Sequence, residues 1–388
     1  MVEIKAFGGL RYKDVDFQKV ITPPYDVIDD DMKKRFQELS EYNFVNLILN
    51  DDHNKAKELF NEWINKKILV KDEDSLYIYQ QEFKLDNKII TRTGFICLLK
   101  IEDFGKNILP HEKTFDKYIN DRFDLMVKTR SNLENIFLIY QDRNKEIDSL
   151  IILSTEKEEN IKFIDDDNCV HKIWKIDNGE VIEKIVSLMS DKKLLIADGH
   201  HRYKTALKYR KEHGNEYVMA TLVNSFNEGV VILPTNRLVN EKVNIEDFSD
   251  YFDVKEADEI TNLEEKSFIV STKEKKYLIK LKEEEILNEV FKDNEIFKNL
   301  DVAILHNLIF EKILKIPMEE QKPPKIKFVK GNKLTIDSIN DSNTAFFVRC
   351  PSLEQTFNIA NTGKVMPQKS TYFYPKMFSG LVIYRIGS

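Results

Sequence analysis

The chain has 388 residues, of which 42% are hydrophobic and 32% are charged, with both signs mixed along its length. This composition is typical of a folded protein of two or three domains and argues against a disordered chain. The net charge of −7 at pH 7 argues against general binding to nucleic acids or anionic membranes, which select basic surfaces.

The cysteine pattern and the hydropathy exclude further classes of protein. The three cysteines are far apart and form no CxxC pair, which predicts neither a disulfide framework nor a structural zinc site. Residues 1–12 lack the apolar core of a signal peptide, and no apolar run approaches the ~18 residues that span a bilayer. We therefore expect a soluble, cytoplasmic protein without a membrane or nucleic-acid partner, and the oligomeric state is open.

The first hundred residues predict a rigid loop, a helix and a hairpin. Two adjacent prolines at 23 and 24 fix the backbone before Tyr25 and Asp26. This segment is either a plain turn or a loop that presents these two side chains to a substrate. An amphipathic pattern predicts a helix over 53–68, and alternating apolar residues over 75–100 predict two strands joined at Asp86-Asn87.

A His-Glu pair, His111-Glu112, follows the next strand-like segment. A carboxylate beside an imidazole can serve as a general base or as a metal ligand, and an exposed loop is the alternative. A helix is predicted over 120–135 and strand material over 151–177. The acidic run at 165–167 suggests a metal site, but its polar neighbours favour a solvated turn.

The centre of the chain predicts an anion-binding turn. Four apolar residues over 194–197 indicate a short buried strand, which ends at Asp198-Gly199. Helical spacing resumes immediately, so His200, His201 and Arg202 lie where the strand passes into a helix. Ligands of open α/β folds bind beyond the carboxyl ends of strands, and helix N-termini attract anions.

In the second half, a strand ends at Arg237, which is either an anion contact or part of a surface ion pair. Residues 240–300 are rich in Glu, Lys and Asp and predict a second lobe. An amphipathic helix over 301–313 carries His306 on its apolar stripe, which favours a core histidine over a ligand.

The last segment, 363–376, combines lysines, hydroxyls and aromatic residues between two prolines. Lys369, Ser370 and Thr371 are suited to holding a phosphate, and Tyr372 to stacking on a base or lining a pocket. The alternative is a packed terminus braced by its prolines.

Four motifs together resemble the bacterial and archaeal domain-of-unknown-function family numbered ten-fifteen. They are PPYDVI at 23–28, PHEKT at 110–114, DGHHRY at 198–203 and MPQKSTYFYPK at 366–376. The resemblance covers nearly the whole chain, but the name of the family concedes that its activity is not established.

A second resemblance concerns the chemistry. The strand–DGHHR–helix unit is similar to the phosphate-binding motif of the ParB/sulfiredoxin superfamily, which includes free-serine kinases with an upstream catalytic glutamate. The resemblance implies that His200, His201 and Arg202 contact nucleotide phosphates, that Asp198 places them or a metal, and that Glu112 is the upstream acid. His-His stands where sulfiredoxin has its reactive cysteine, and no basic helix-turn-helix follows, as a DNA-partition protein would need.

We accordingly predict an α/β (mixed α+β) protein with a ParB/sulfiredoxin-like nucleotide-binding core. The predicted domains are 1–240, which contains this core, and 241–388, an α+β lobe whose last segment returns to the site. The predicted activity is a Mg²⁺-dependent transfer of phosphate between ATP or ADP and a small polar metabolite such as free serine. His111, Glu112 and Asp198 are the predicted catalytic groups, with Asp198 and Glu112 as metal ligands. The alternatives are a metal-dependent phosphoester hydrolase and a non-catalytic nucleotide-sensing protein.

Overall fold

The structure is a computed structural model, and it describes residues 1–112, 114, 116–260 and 263–387. Lys113 of the PHEKT motif lies outside these residues. The chain divides into two compact units. The first contains residues 1–110, 114–231 and 375–388, and the second contains 111–113 and 232–374.

The first unit is built on a mixed sheet flanked by helices. Its helices are Phe17–Val20, Tyr25–Val27 (3-10), Asp30–Leu39, Val45–Ile48, His53–Asn65, Asp116–Thr129, Glu146–Leu153, Gly179–Met189 and His200–His213. The strands of the main sheet, in spatial order, are Ile108–Leu109, Leu194–Asp198, Ile136–Tyr140, Tyr217–Asn224, Lys88–Lys100, Leu76–Leu85, Val170–Ile176 and Ile161–Ile164, with Ile4–Lys5 beside Lys88–Lys100. Two smaller pairs are Leu10–Tyr12 with Leu69–Lys71, and Ser131–Asn132 with Tyr384–Arg385.

The predicted central strand lies inside this sheet. Leu194–Asp198 runs parallel to Ile108–Leu109 and antiparallel to Ile136–Tyr140, and its four apolar residues are fully or nearly buried. A strand that is covered on both faces needs apolar residues at every position, which explains the uninterrupted run in the sequence. Pairing with strands on both sides therefore fixes the position of the carboxyl end of this strand.

Most of the predicted elements of the first unit are confirmed, with two corrections. The helix predicted over 120–135 ends at Thr129, and Ser131–Asn132 is a strand. The helix His53–Asn65 and the hairpin of Leu76–Leu85 with Lys88–Lys100 lie where the sequence predicts them. The strand predicted to begin at residue 151 is wrong there, because the helix Glu146–Leu153 covers this segment. Ile147 and Ile151 are buried one helical turn apart. The short apolar run here, which is compatible with a strand, therefore forms the buried face of a helix.

The second unit contains an antiparallel sheet with helices packed on it. In spatial order its strands are Phe252–Glu256, Lys276–Leu281, Ser267–Ser271, Thr344–Val348, Thr235–Val239 and Ile326–Lys330, and a separate pair joins Val231–Leu233 to Tyr372–Tyr374. Its helices are Ile245–Phe248 (3-10), Ile286–Val290, Glu295–Asn299 (3-10), Asp301–Ile304, Leu305–Ile313 (π), Met318–Glu320 (3-10), Asn332–Asp337 and Leu353–Asn361.

The structure places the change of unit at Val231–Ile232, whereas the sequence places it after residue 240. The difference arises because the strand Thr235–Val239 pairs with Ile326–Lys330 and Thr344–Val348, far along the chain. The mixed α/β class itself is confirmed. Among the described residues, none of the helices has both the length and the apolar character required to cross a membrane.

Candidate functional site

The turn after the central strand has a backbone that requires glycine. Gly199 has φ of +95° and precedes the helix His200–His213. A Cβ atom built on this glycine would lie 3.1 Å from Nε of Arg202 and 3.2 Å from its Cζ. Glycine therefore both permits the left-handed turn and lets the Arg202 guanidinium lie against the backbone at the helix N-terminus.

Asp198 is the centre of a charge cluster at this turn. Its Oδ2 lies 3.2 Å from Nζ of Lys376 and 3.6 Å from an Arg202 nitrogen, and its Oδ1 accepts the N–H of Gly199 at 2.9 Å. Arg202 also donates to the carbonyl of Asn135. Two cations are thus oriented at a helix N-terminus by a single carboxylate, which is an arrangement suited to an anionic ligand.

The electrostatics of the cluster keep Asp198 ionised. Burial by itself would raise the pKa of Asp198, but Lys376, Arg202 and His200 together hold this pKa well below its usual range. The pKa of Arg202 is raised by Asp198 and Glu134 despite its burial, which acts in the opposite direction. Asp198 is therefore ionised and Arg202 is positively charged at neutral pH.

Lys376 was not among the predicted site residues. Its segment is fixed by buried partners, since Gln81 donates to the Lys376 carbonyl at 2.8 Å and Arg92 donates to the Pro375 carbonyl. The sequence held one signal for this lysine, because it ends the motif MPQKSTYFYPK. The prediction placed the phosphate contacts on Lys369–Thr371 of that motif and passed over Lys376.

The proline-fixed loop joins the same cluster. Tyr25 lies in a short 3-10 turn, and its N–H donates to Glu134 Oε1 at 3.1 Å. The guanidinium carbon of Arg122 lies 4.4 Å from the centre of the Tyr25 ring. Burial, followed by the charge of Asp26, raises the pKa of Tyr25 so that it remains a neutral phenol. Tyr25 and the exposed Asp26 both act electrostatically on Arg202.

A cavity of about 40 Å³ borders this cluster. Arg122, Glu134 and Arg202 line it, together with apolar side chains. Pockets that enclose small-molecule ligands are roughly ten times larger, at about 300–1,000 Å³. This cavity is therefore too small to enclose a nucleotide.

In the second unit, the His-Glu pair is hydrogen-bonded to the last motif. His111 is fully buried, and its Nε2 lies 2.8 Å from Oγ1 of Thr371, which in turn donates to Glu112 Oε1 at 3.3 Å. The Thr371 hydroxyl donates to the carboxylate, so Nε2 of His111 is the donor to Thr371. The hydrogen bonds thus run from the His111 imidazole through the Thr371 hydroxyl to the Glu112 carboxylate, which is the acceptor at the end of this chain.

Arg237 is a buried cation in the second unit, and the surface ion pair considered for it is wrong. It is fully buried and donates to the carbonyls of Thr235, Gln368 and Lys369 and to Nε2 of His306. Burial lowers the pKa of Arg237, and Glu112 acts in the opposite direction. The hydrogen bonds of the Arg237 guanidinium to protein groups therefore hold the 368–369 turn in place. Direct contact of Arg237 with an anion stays a prediction.

The remaining residues of the last motif differ in exposure. Ser370 is buried, and its hydroxyl donates to the Pro367 carbonyl at 2.6 Å, so it stabilises the turn. Lys369 is exposed and has a positive φ, and the Tyr372 ring lies 4.7 Å from Nζ of Lys330. Lys369 is thus exposed to solvent, whereas the Ser370 hydroxyl stabilises the fold.

His306 is a core histidine with both ring nitrogens hydrogen-bonded. Arginine can only donate, so Nε2 of His306 accepts from Arg237, and Nδ1 carries the hydrogen that is donated to Oε1 of Gln321. Burial and the neighbouring Arg237 lower the pKa of His306 to about 3. The ring is therefore neutral in the folded protein.

This histidine makes the second unit sensitive to acid. Between its unfolded pKa of about 6.5 and its folded pKa of about 3, the unfolded chain takes up a proton that the folded chain refuses. The stability of the second unit should therefore fall by a few kcal/mol as the pH is lowered through this window. Urea unfolding between pH 7 and 4 measures the loss, which should be smaller in His306→Gln but unchanged in His213→Gln, a substitution at an exposed histidine.

The predicted residues thus form two groups, one in each unit. The first unit brings together Tyr25, Asp26, Asp198, Gly199, His200, His201 and Arg202. The second unit holds His111, Glu112, Arg237, Lys369, Ser370, Thr371 and Tyr372.

The mixed α/β fold with a charged strand-to-helix turn agrees with the resemblance seen in the motifs. The chain belongs to the DUF1015 family of proteins of unknown function, whose model matches residues 4–303. No curated protein matches the chain in sequence.

Solved structures that align with this protein include free serine kinase in complex with AMP. The two are 16% identical with a TM-score of 0.36, over 70% of this chain and 86% of that chain. A free serine kinase variant in complex with ADP is 14% identical with a TM-score of 0.35, over 70% of this chain and 87% of that chain. SbnI from Staphylococcus aureus, truncated at its C-terminus, is 9% identical with a TM-score of 0.40, over 75% of this chain and 87% of that chain.

Proposed function

We propose that this protein transfers a phosphoryl group between ATP or ADP and a small polar metabolite such as free serine, and that it binds the nucleotide phosphates at the Asp198–Arg202 turn. The observation that carries the proposal is the position of Arg202 and Lys376 around Asp198 at the N-terminus of a fourteen-residue helix. Phosphoryl transfer depends mainly on positioning and on neutralisation of charge, which this arrangement supplies.

The binding step involves the backbone as well as the cations. The N–H groups in the first turn of a helix point toward its N-terminus, so those of the turn that follows Gly199 are oriented toward a phosphate placed beyond this glycine. Arg202 and Lys376 add positive charge on one side of that position. Asp198 holds both cations in place before the nucleotide arrives, which lowers the cost of ordering them.

The chemical step moves one phosphoryl group and one proton. The acceptor hydroxyl attacks the terminal phosphorus, the bond from that phosphorus to the bridging oxygen of the nucleotide breaks, and the shortened nucleotide leaves with the electron pair. Glu112 is proposed to take the hydroxyl proton, because it is the candidate for the upstream glutamate that the resemblance of the DGHHR motif to free-serine kinases implies. Mg²⁺, when bound, would neutralise the phosphates.

A metal-dependent hydrolase has less support. That mechanism needs Asp198 as a ligand of the metal, but both oxygens of this carboxylate already accept from protein groups, and two cations lie beside it. A divalent cation at Asp198 would have to displace Lys376 and Arg202 against their charge. Asp198 is better suited to orienting cations than to ligating a metal.

The test is turnover by the whole protein. Purified protein is incubated with Mg²⁺, L-serine and either ATP or ADP, and phosphoserine is measured by ³¹P NMR. The expected result is phosphoserine formed in proportion to nucleotide consumed. Glu112→Gln should bind nucleotide with unchanged affinity but lose about 10²–10⁴-fold in rate, as expected for removal of a general base.

The same assay separates the alternatives. Release of free phosphate without an acceptor product would indicate a hydrolase. Tight nucleotide binding without any turnover would indicate a regulatory protein. Absence of both binding and turnover across a panel of small hydroxyl-bearing acceptors would overturn the proposal.

A further inference from the structure

We propose that Asp165, Cys169 and His171 of the first unit form a zinc-binding site that is separate from the phosphate-binding turn. One ligand atom from each of these residues lies within 4.8 Å of the other two. Among the described residues, no other three histidine, cysteine or acidic side chains lie close enough together to hold one metal ion. Neither the proposed phosphotransferase activity nor its residues are needed for this inference.

The site lies where two strands meet. Asp165 and Cys169 belong to the loop between the strands Ile161–Ile164 and Val170–Ile176, and His171 is the second residue of the latter. Strand pairing places His171 opposite Phe163, so the loop folds back over the imidazole. Local sheet geometry thus brings together ligands that a CxxC search does not find.

The carboxylate and the imidazole are already oriented toward each other. Oδ2 of Asp165 lies 3.0 Å from Nε2 of His171, while its Oδ1 accepts the N–H groups of Asp167 at 2.9 Å and Cys169 at 2.8 Å. The other ring nitrogen, Nδ1, lies 2.7 Å from the hydroxyl of Tyr79. A ligating histidine typically donates its second nitrogen to such a partner, which fixes the ring and raises its basicity.

Aromatic side chains cover the imidazole ring. His171 and Cys169 are fully buried, and the ring of Phe163 stacks on His171 at 4.5 Å with an interplanar angle of 8°. Phe378 covers the ring from a centroid distance of 4.4 Å. A buried site of this kind favours a metal ion whose charge is neutralised by the charges of its ligands, because an unbalanced buried charge is costly.

The donor set balances a divalent ion. Asp165 carries one negative charge, and the Cys169 thiolate supplies a second when zinc displaces its proton to solvent. Zinc would take the lone pair of Nε2, the imidazole proton would reside on Nδ1, and this Nδ1–H would donate a hydrogen bond to the Tyr79 oxygen. The result is a site of zero net charge with one oxygen, one sulfur and one nitrogen ligand, a combination that zinc accepts with a fourth position left for water.

Metal binding is the first measurement. Full-length protein is saturated with ZnCl₂ and freed of weakly bound metal on a chelating resin, and its zinc content is determined by mass spectrometry. The expected result is one zinc per chain in the wild type and in Cys350→Ser, and a large loss in Cys169→Ser. Cys350 lies in the second unit and is the matched control for removing a thiol.

Cobalt tests the ligands directly. Substitution of Co²⁺ should produce a thiolate-to-cobalt charge-transfer band that is absent in Cys169→Ser, and zinc should release about one proton per ion bound near neutral pH. Tyr79→Phe, which retains the ring, should weaken zinc binding about 10- to 100-fold while the protein stays folded. Folded wild type that retains no stoichiometric zinc and gives no such band would overturn the proposal, as would full zinc affinity in Cys169→Ser.

Discussion

Arg202→Gln should weaken nucleotide binding by about 10- to 100-fold. Hydrogen bonds to a charged group are worth about 1.5–3 kcal/mol each, and the substitution removes both the charge and the donor fork that lies against Gly199. Asp198 keeps Lys376 as its partner, so the turn retains one ion pair and the protein is expected to fold. Isothermal titration calorimetry with ADP or ATP, together with the Tm of the free protein, measures both effects.

The matched control for this substitution lies on the same helix. Lys211→Gln removes the same charge from the exposed C-terminal end of His200–His213 and should leave the nucleotide affinity unchanged. Arg202→Lys should be intermediate, because lysine supplies charge without the planar pair of donors. If folded Arg202→Gln binds nucleotide as tightly as the wild type, the phosphates do not bind at this turn.

Arg237→Met should destabilise the second unit by several kcal/mol. The substitution keeps most of the volume but leaves three backbone carbonyls and Nε2 of His306 without their donor inside the protein. Each buried polar group that loses its partner costs about 1–3 kcal/mol, against a typical total stability of about 5–15 kcal/mol. Backbone carbonyls cannot be replaced by apolar groups, so the structure has no local way to relieve this cost.

Urea unfolding followed by circular dichroism measures this effect, and Lys327→Met is its control. Lys327 lies on the strand next to Thr235–Val239, but its side chain is exposed, so its loss should change stability by less than about 0.5 kcal/mol. Equal stability of Arg237→Met and the wild type would show that this arginine does not support the 368–369 turn.

The sequence predicted the strand-to-helix turn well because the signals there are local. Four consecutive apolar residues, an Asp-Gly pair and helical spacing act within a few residues of one another. The helix Glu146–Leu153 was missed because a short apolar run suits both a strand and one face of a helix. Only packing against the rest of the unit distinguishes the two.

Charge partners were harder to predict than elements. Lys376 is 178 residues from Asp198 along the chain, and Thr371 is 260 residues from His111. No periodicity encodes such pairs, because they depend on where distant segments return. The same reasoning applies to Arg237, whose burial came from the pairing of its strand with Ile326–Lys330 and Thr344–Val348.

By itself, the sequence determined that Asp198-Gly199 ends a buried strand and begins a helix with two histidines and an arginine in its first turn, since backbone preference and hydrophobic pattern act locally. Only the tertiary structure decided that Lys376 joins Arg202 at that carboxylate, and that Asp165 and Cys169 fold over His171. The physical reason is that charge pairing and ligand clustering are properties of positions in space, which strand pairing and chain return establish after the local elements have formed.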